Sequence, residues 1–103
     1  MQFRSIEKKE SGAFLHRYDL HYTDNRGNPR TYEMVSRDAR LDSYERLLQH
    51  PADAVAMIMT DRENEHFALI HEFRMEIGKA IYGLPAGLID PGETVEQCAR
   101  REL

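Results

Sequence analysis

Between Phe14 and Tyr22 the apolar side chains Phe14, Tyr18, Leu20 and Tyr22 fall on alternate positions, the period of a strand with one buried face. A strand with one dry and one wet face is at home in an antiparallel sheet, so the chain must supply a partner close by. Arg30 to Ser36 is the nearest β-prone segment, and the stretch between them, Asp24-Asn25-Arg26-Gly27-Asn28-Pro29, is dense in residues that tolerate or impose turn geometry. These segments predict a hairpin, with Phe3 to Glu10 as a third strand. Leu41, Tyr44, Leu47 and Leu48 recur at three- and four-residue intervals and predict a short amphipathic helix that ends before Pro51 and connects two parts of the molecule.

Further on, Ala54 to Thr60 and His66 to Phe73 are apolar runs split by the polar Asp61-Arg62-Glu63-Asn64-Glu65, which predicts a second hairpin with buried strands. Ala80 to Leu84 reads as one more strand. The expectation is an α+β or α/β chain in two parts: an N-terminal β segment over residues 1–48, and a region of strands followed by a helix over residues 49–103.

Fourteen basic and eighteen acidic side chains leave a net charge of -4, which disfavours an electrostatic grip on nucleic acid or anionic lipid. The opening MQFRSIEKKE has no apolar core, and the longest apolar run, Ala54 to Met59, falls far short of the roughly 20 residues that a bilayer span requires. A soluble protein without membrane or nucleic-acid partners is expected. A single cysteine, Cys98, suits a cytoplasmic location and sits on the apolar stripe of the last helix as a small core side chain. The five histidines show neither the i, i+4 spacing nor the cysteine companions of a zinc site.

The last seventeen residues, GLIDPGETVEQCARREL, carry the chemistry. Asp90-Pro91-Gly92-Glu93 predicts a tight type I or II turn. Thr94 and Gln97 are spaced as a capping box, which starts a helix at Thr94. On a wheel of 100° per residue Cys98, Ala99 and Leu103 lie within about 80° of Val95, and Glu102 within about 20°. A carboxylate on that stripe needs a proton, an arginine or a metal cation beside it. A Gly-rich turn at a helix start invites phosphate, yet Asp90 and Glu93 would repel a bare one. A divalent cation between the acids and a phosphate reconciles the two signs, and oxygen ligands suit Mg²⁺ or Mn²⁺.

Gly87, Glu93 and Arg101-Glu102-Leu103 stand at the spacings of G-x5-E-x7-R-E-U, the first part of the Nudix box, where U is apolar. The chain thus resembles the Nudix hydrolases, and its LPAGLIDPGE looks like the ADP-ribose pyrophosphatase branch, in which a three-stranded N-terminal segment helps form a homodimer. The resemblance implies the first half of an α/β/α sandwich with a mixed sheet, following the N-terminal antiparallel sheet. It implies hydrolysis, with Mg²⁺ or Mn²⁺, of a nucleoside diphosphate linked to another group, with ADP-ribose or a related nucleotide sugar as substrate.

Carried over, Glu102 is a catalytic metal ligand and the backbone carbonyl of Ala86 a second. Glu93 is the supporting acid that pairs with Arg101, and Arg74 in His71-Glu72-Phe73-Arg74 resembles a substrate-contacting arginine. Read without the resemblance, Arg74 is a strand-end arginine paired with Glu72 or Glu76, and Asp90 a turn residue. Gly83 stands where the branch often has an acid. The helix has neither a C-terminal Gly nor a following Pro, so it is expected to continue beyond Leu103, where the rest of the box would add two carboxylates and the general base. These 103 residues alone are expected to hydrolyse little, and the alternative role is a non-catalytic module for dimerisation or nucleotide sensing.

Overall fold

The computed structural model describes residues 1–103. Its elements run in the order β1 (Gln2–Ser11), β2 (His16–Thr23), β3 (Pro29–Ser36), α1 (Tyr44–Gln49), β4 (Ala54–Ala56), β5 (Ile70–Arg74), β6 (Lys79–Gly83), β7 (Ala86–Leu88) and α2 (Val95–Glu102). This is an α+β chain in which every strand pairing is antiparallel. It divides into two compact units, Met1–Pro51 and Ala52–Leu103. No helix is long and apolar enough to cross a membrane.

In the first unit β1, β2 and β3 form one sheet in that order. The β2–β3 connection is built as its composition predicts. Gly27 adopts φ 83° and donates to Asp24 O at 3.0 Å, while Asp24 Oδ1 accepts from the backbone of Arg26 and Asn28 at 2.9 Å each. A turn of this kind, closed by a left-handed glycine, fixes the hairpin register, here Thr23 opposite Pro29 through His16 opposite Ser36. The inward face of β2 places Tyr18 and Leu20 in a core with Leu41, flanked by Ile6, Tyr22, Met34 and Leu47. Tyr18 is wholly buried, and its hydroxyl donates to Asp38 O at 2.6 Å, so the one polar atom it takes inside is satisfied.

Two expectations need correction here. Phe14 is 81% exposed, because Gly12 N bonds Leu15 O at 2.7 Å and folds residues 12–15 into a turn ahead of the strand. The helix begins only at Tyr44, where the Ser43 side chain caps Arg46 N, so the buried Leu41 precedes it, and Leu48 faces solvent.

In the second unit the predicted hairpin between Ala54–Thr60 and His66–Phe73 is cut down to its turn end, where Ala68 N donates to Met59 O at 2.8 Å and Asp61 N to His66 O at 3.2 Å, while Ala54–Ala56 and Ile70–Arg74 take other partners. These runs share only a bridge between Thr60 and Phe67. β4 instead pairs with β7, Val55 opposite Gly87, and β5 pairs with β6, Ile70 opposite Gly83. The strands of that hairpin are not buried as expected either, since Phe67 and Phe73 are largely exposed; on β6 the exposed Tyr82 stacks on His71 with ring centroids 4.3 Å apart. α2 packs on β4 and β7, with Val55 and Cys98 as the buried side chains. The apolar stripe of α2 is therefore narrower than its sequence predicts, since Val95 and Leu103 are exposed.

Candidate functional site

β7 leads through a turn into α2, and the local sequence determines both ends of that connection. Glu93 N bonds Asp90 O at 3.0 Å and Gly92 has φ 77°, the signature of a type II turn. Thr94 then caps the helix. Gln97 N donates to Thr94 Oγ1 at 3.1 Å and Thr94 N donates to Gln97 Oε1 at 2.9 Å, the reciprocal capping box.

Arg101 is the hub of this connection. Its Nε and Nη2 meet Glu93 Oε2 and Oε1 at 2.9 and 3.0 Å, a bidentate pair, and Nη2 also donates to Leu88 O at 2.9 Å. Nη1 donates to Glu102 Oε1 at 2.6 Å, and Asp90 Oδ2 lies 3.5 Å from Nη2. Three carboxylates thus surround one guanidinium. Of the three, Glu93 is the most enclosed, its side chain only 14% exposed, and it also accepts from Asp90 N. The Arg101 hydrogen bonds, reinforced by that of Asp90 N, hold its carboxyl at a pKa of about 2, well below the ordinary 4.5, and Glu93 in turn pushes the Arg101 guanidinium upward.

Glu102 lies against Gly87. A Cβ built on Gly87 would come within 2.6 Å of Glu102 Oε1 and nearer still to its side-chain carbons. Only a glycine lets the carboxylate rest on β7 there. The side chain is 29% exposed and is neutralised by Arg101, one of the three partners the sequence left open. Behind it Cys98 is wholly buried, its Sγ 3.3 Å from Leu88 O, and burial raises its pKa, as suits an inert core thiol.

Ala86 stands one residue before Gly87 on β7. The flanking bonds from Met57 N to Pro85 O and from Ile89 N to Asp53 O make Val55 and Gly87 the bonded pair. The carbonyls of Ala86 and Leu88 therefore leave the ladder on the opposite edge, where Leu88 meets Arg101. Glu102 and the Ala86 carbonyl offer hard oxygen donors that fit Mg²⁺ or Mn²⁺, though no three His, Cys, Asp or Glu side chains converge as a metal cage. The ion would keep several waters or further ligands. Arg74, at the end of β5, pairs with Glu72 at 3.0 Å and joins this group through neither a hydrogen bond nor an ion pair. The chain thus brings Glu93, Arg101, Glu102 and Asp90 together. The Gly87–Glu102 contact and the binding of the Leu88 carbonyl were not foreseen; the fixed spacing of Gly87 and Glu102 was the available signal.

The NUDIX domain family profile matches residues 50–103, about half of the chain. The chain belongs to the Nudix family. Among curated Nudix relatives, a putative nudix hydrolase 2 of Caenorhabditis elegans is 44% identical over 54 residues, 50% of this chain and 24% of that protein. An uncharacterized Nudix hydrolase of Schizosaccharomyces pombe is 34% identical over 86 residues, 82% of this chain and 38% of its own length. The ADP compounds hydrolase NudE of Escherichia coli is 37% identical over 60 residues, 58% of this chain and 31% of NudE. A crystal structure of an ADP compounds hydrolase superposes with a TM-score of 0.63 at 24% identity, covering 100% of this chain and 49% of that one, a likeness of fold. This Nudix chain therefore spans between about a quarter and two fifths of the length of the curated relatives it matches.

Proposed function

We propose that the protein is a Nudix pyrophosphohydrolase that cleaves a nucleoside diphosphate linked to another group, ADP-ribose or a related nucleotide sugar, into a nucleoside monophosphate and a phosphorylated product. The observation that carries this reading is Glu102, whose carboxylate rests on the bare backbone of Gly87 beside the Ala86 carbonyl edge. Similarity to an ADP compounds hydrolase supports the substrate class.

Glu102 and the Ala86 carbonyl would hold Mg²⁺ or Mn²⁺, which would supply positive charge to the phosphoryl oxygens. Glu93 grips Arg101 and so keeps the Asp90–Glu93 turn and the first turns of α2 at a fixed distance from β7. Arg74 contacts the substrate once it leaves Glu72. Residues 1–48 form the β segment through which two copies pair, residues 49–103 the first half of the Nudix domain, and the protein works in the cytoplasm.

The test is ADP-ribose hydrolysis with Mg²⁺ by the polypeptide at the full length of its relatives, beside its Glu102→Gln variant and the 103-residue chain. Loss of turnover in Glu102→Gln supports the assignment, whereas equal turnover by both full-length proteins removes it. Should the full-length protein bind ADP-ribose without cleaving it, a nucleotide-sensing module takes the place of the enzyme.

A further inference from the structure

Resting on Glu102 as a cation ligand, we propose that Asp90 is a positioning residue: it takes over the Arg101 guanidinium when Glu102 turns to the cation.

The guanidinium has five N–H groups, and their partners are unequal. Nε is committed to Glu93 Oε2, and the two hydrogens of Nη2 go to Glu93 Oε1 and Leu88 O. These three bonds tie Arg101 to the turn and to β7. Nη1 has one carboxylate partner, Glu102, at 2.6 Å. Arg101 holds Oε1, and its positive charge therefore competes with any cation drawn to the same carboxylate. With Glu102 turned to a cation, Nη1 would be left without its carboxylate counter-charge.

Asp90 is placed to offset this. Its backbone N is held by Glu93 Oε1 at 3.0 Å, so its Cα cannot wander. Its side chain is 64% exposed, and its Oδ2 stands 3.5 Å from Arg101, an ion pair longer than a close hydrogen bond. The handover asks for a rotation of this exposed side chain from Nη2 towards Nη1, while the Glu93 bonds to Nε and Nη2 stay in place. With the Asp90 charge present Glu102 is released more readily; without it Arg101 holds Glu102 more tightly.

The experiment titrates Mn²⁺, followed by the EPR signal of the free ion, into the wild-type chain, Asp90→Asn and Glu102→Gln, both at 103 residues and at the relatives' full length. In parallel the ¹H–¹⁵N guanidinium signals of Arg101 are followed as Mg²⁺ is added. Glu102→Gln is expected to lose binding, and Asp90→Asn to bind roughly threefold to fivefold more weakly, the scale of one exposed charge pair. The Arg101 signals are expected to move with Mg²⁺ in the wild type, and in Asp90→Asn to reach a different end point at saturating ion, because no carboxylate replaces Glu102 at Nη1. If Glu102→Gln binds normally, or neither length binds Mn²⁺, the Glu102 assignment falls and this inference with it. If Glu102→Gln loses binding while Asp90→Asn matches the wild type, the handover alone is overturned. It is overturned equally if Asp90→Asn binds weakly but the wild-type Arg101 signals never move, since Asp90 then acts on the ion directly.

Discussion

At Gly87 the missing side chain matters more than any that is present, because the space a Cβ would fill is occupied by the Glu102 carboxyl and its methylene. Those atoms are the far end of a flexible side chain, so Gly87→Ala should push Glu102 aside rather than strain the backbone. The expected outcome is a stability change of under about 1 kcal/mol by thermal melting, with a loss of Mn²⁺ affinity as large as that of Glu102→Gln. An unchanged affinity would show that the carboxylate does not need its seat on β7. Glu93 allows a second prediction, in pH. Its folded pKa of about 2 lies below the ordinary 4.5, so the native state releases that proton more readily than the unfolded chain does. The stabilisation is fully present above pH 4.5 and is lost as pH falls towards 2. The melting-temperature gap between the wild type and Glu93→Gln should therefore be full near neutrality, narrow below pH 4.5 and close only as pH falls through about 2. A gap that stays constant across that range would mean Arg101 does not hold this carboxylate in its charged form.

Whole elements divide into those that local sequence specifies and those that it leaves open. The β2–β3 hairpin was legible because a turn-dense loop joins strands adjacent in sequence, and the start of α2 because Thr94 and Gln97 satisfy each other's backbone groups at a fixed spacing. The cap gives a direct test: Thr94→Ala should cost about 1 kcal/mol and Thr94→Gly only a few tenths, read as melting temperature together with helical circular dichroism. Equal effects would mean the Thr94 hydroxyl contributes nothing beyond backbone geometry. The pairing of β4 with β7 was not legible, because Ala54–Ala56 and Ala86–Leu88 are three-residue strands brought together across the length of another hairpin. A run of apolar residues reports that a strand is present and carries no information about its partner. The same limit applied to the site. The spacing of Gly87, Glu93, Arg101 and Glu102 was visible, whereas the convergence of three carboxylates on Arg101 requires the turn to be folded.

Over the whole molecule the two units differ in how much apolar surface they bury. In Met1–Pro51 the sheet and α1 enclose Tyr18, Leu20 and Leu41. In Ala52–Leu103 only Val55 and Cys98 are buried hydrophobics, while Ile58, Phe67, Phe73 and Tyr82 are each more than 60% exposed. Two of these, Phe73 and Tyr82, stand on β5 and β6, a two-stranded sheet with unpaired edges. Exposed apolar side chains beside open strand edges favour association, since burial removes them from water and edge pairing satisfies backbone groups. Burying one such aromatic side chain contributes about 1.5–3 kcal/mol, so the 103-residue chain is expected to associate with rising concentration. Light scattering coupled to size exclusion should show the mean mass climb between micromolar and near-millimolar protein. Phe73→Lys and Tyr82→Lys should each lower that association without lowering the melting temperature of the dilute chain, because neither side chain supports a core. A mean mass equal to the 12.0 kDa monomer at every concentration would show that the open β5–β6 sheet tolerates its exposure.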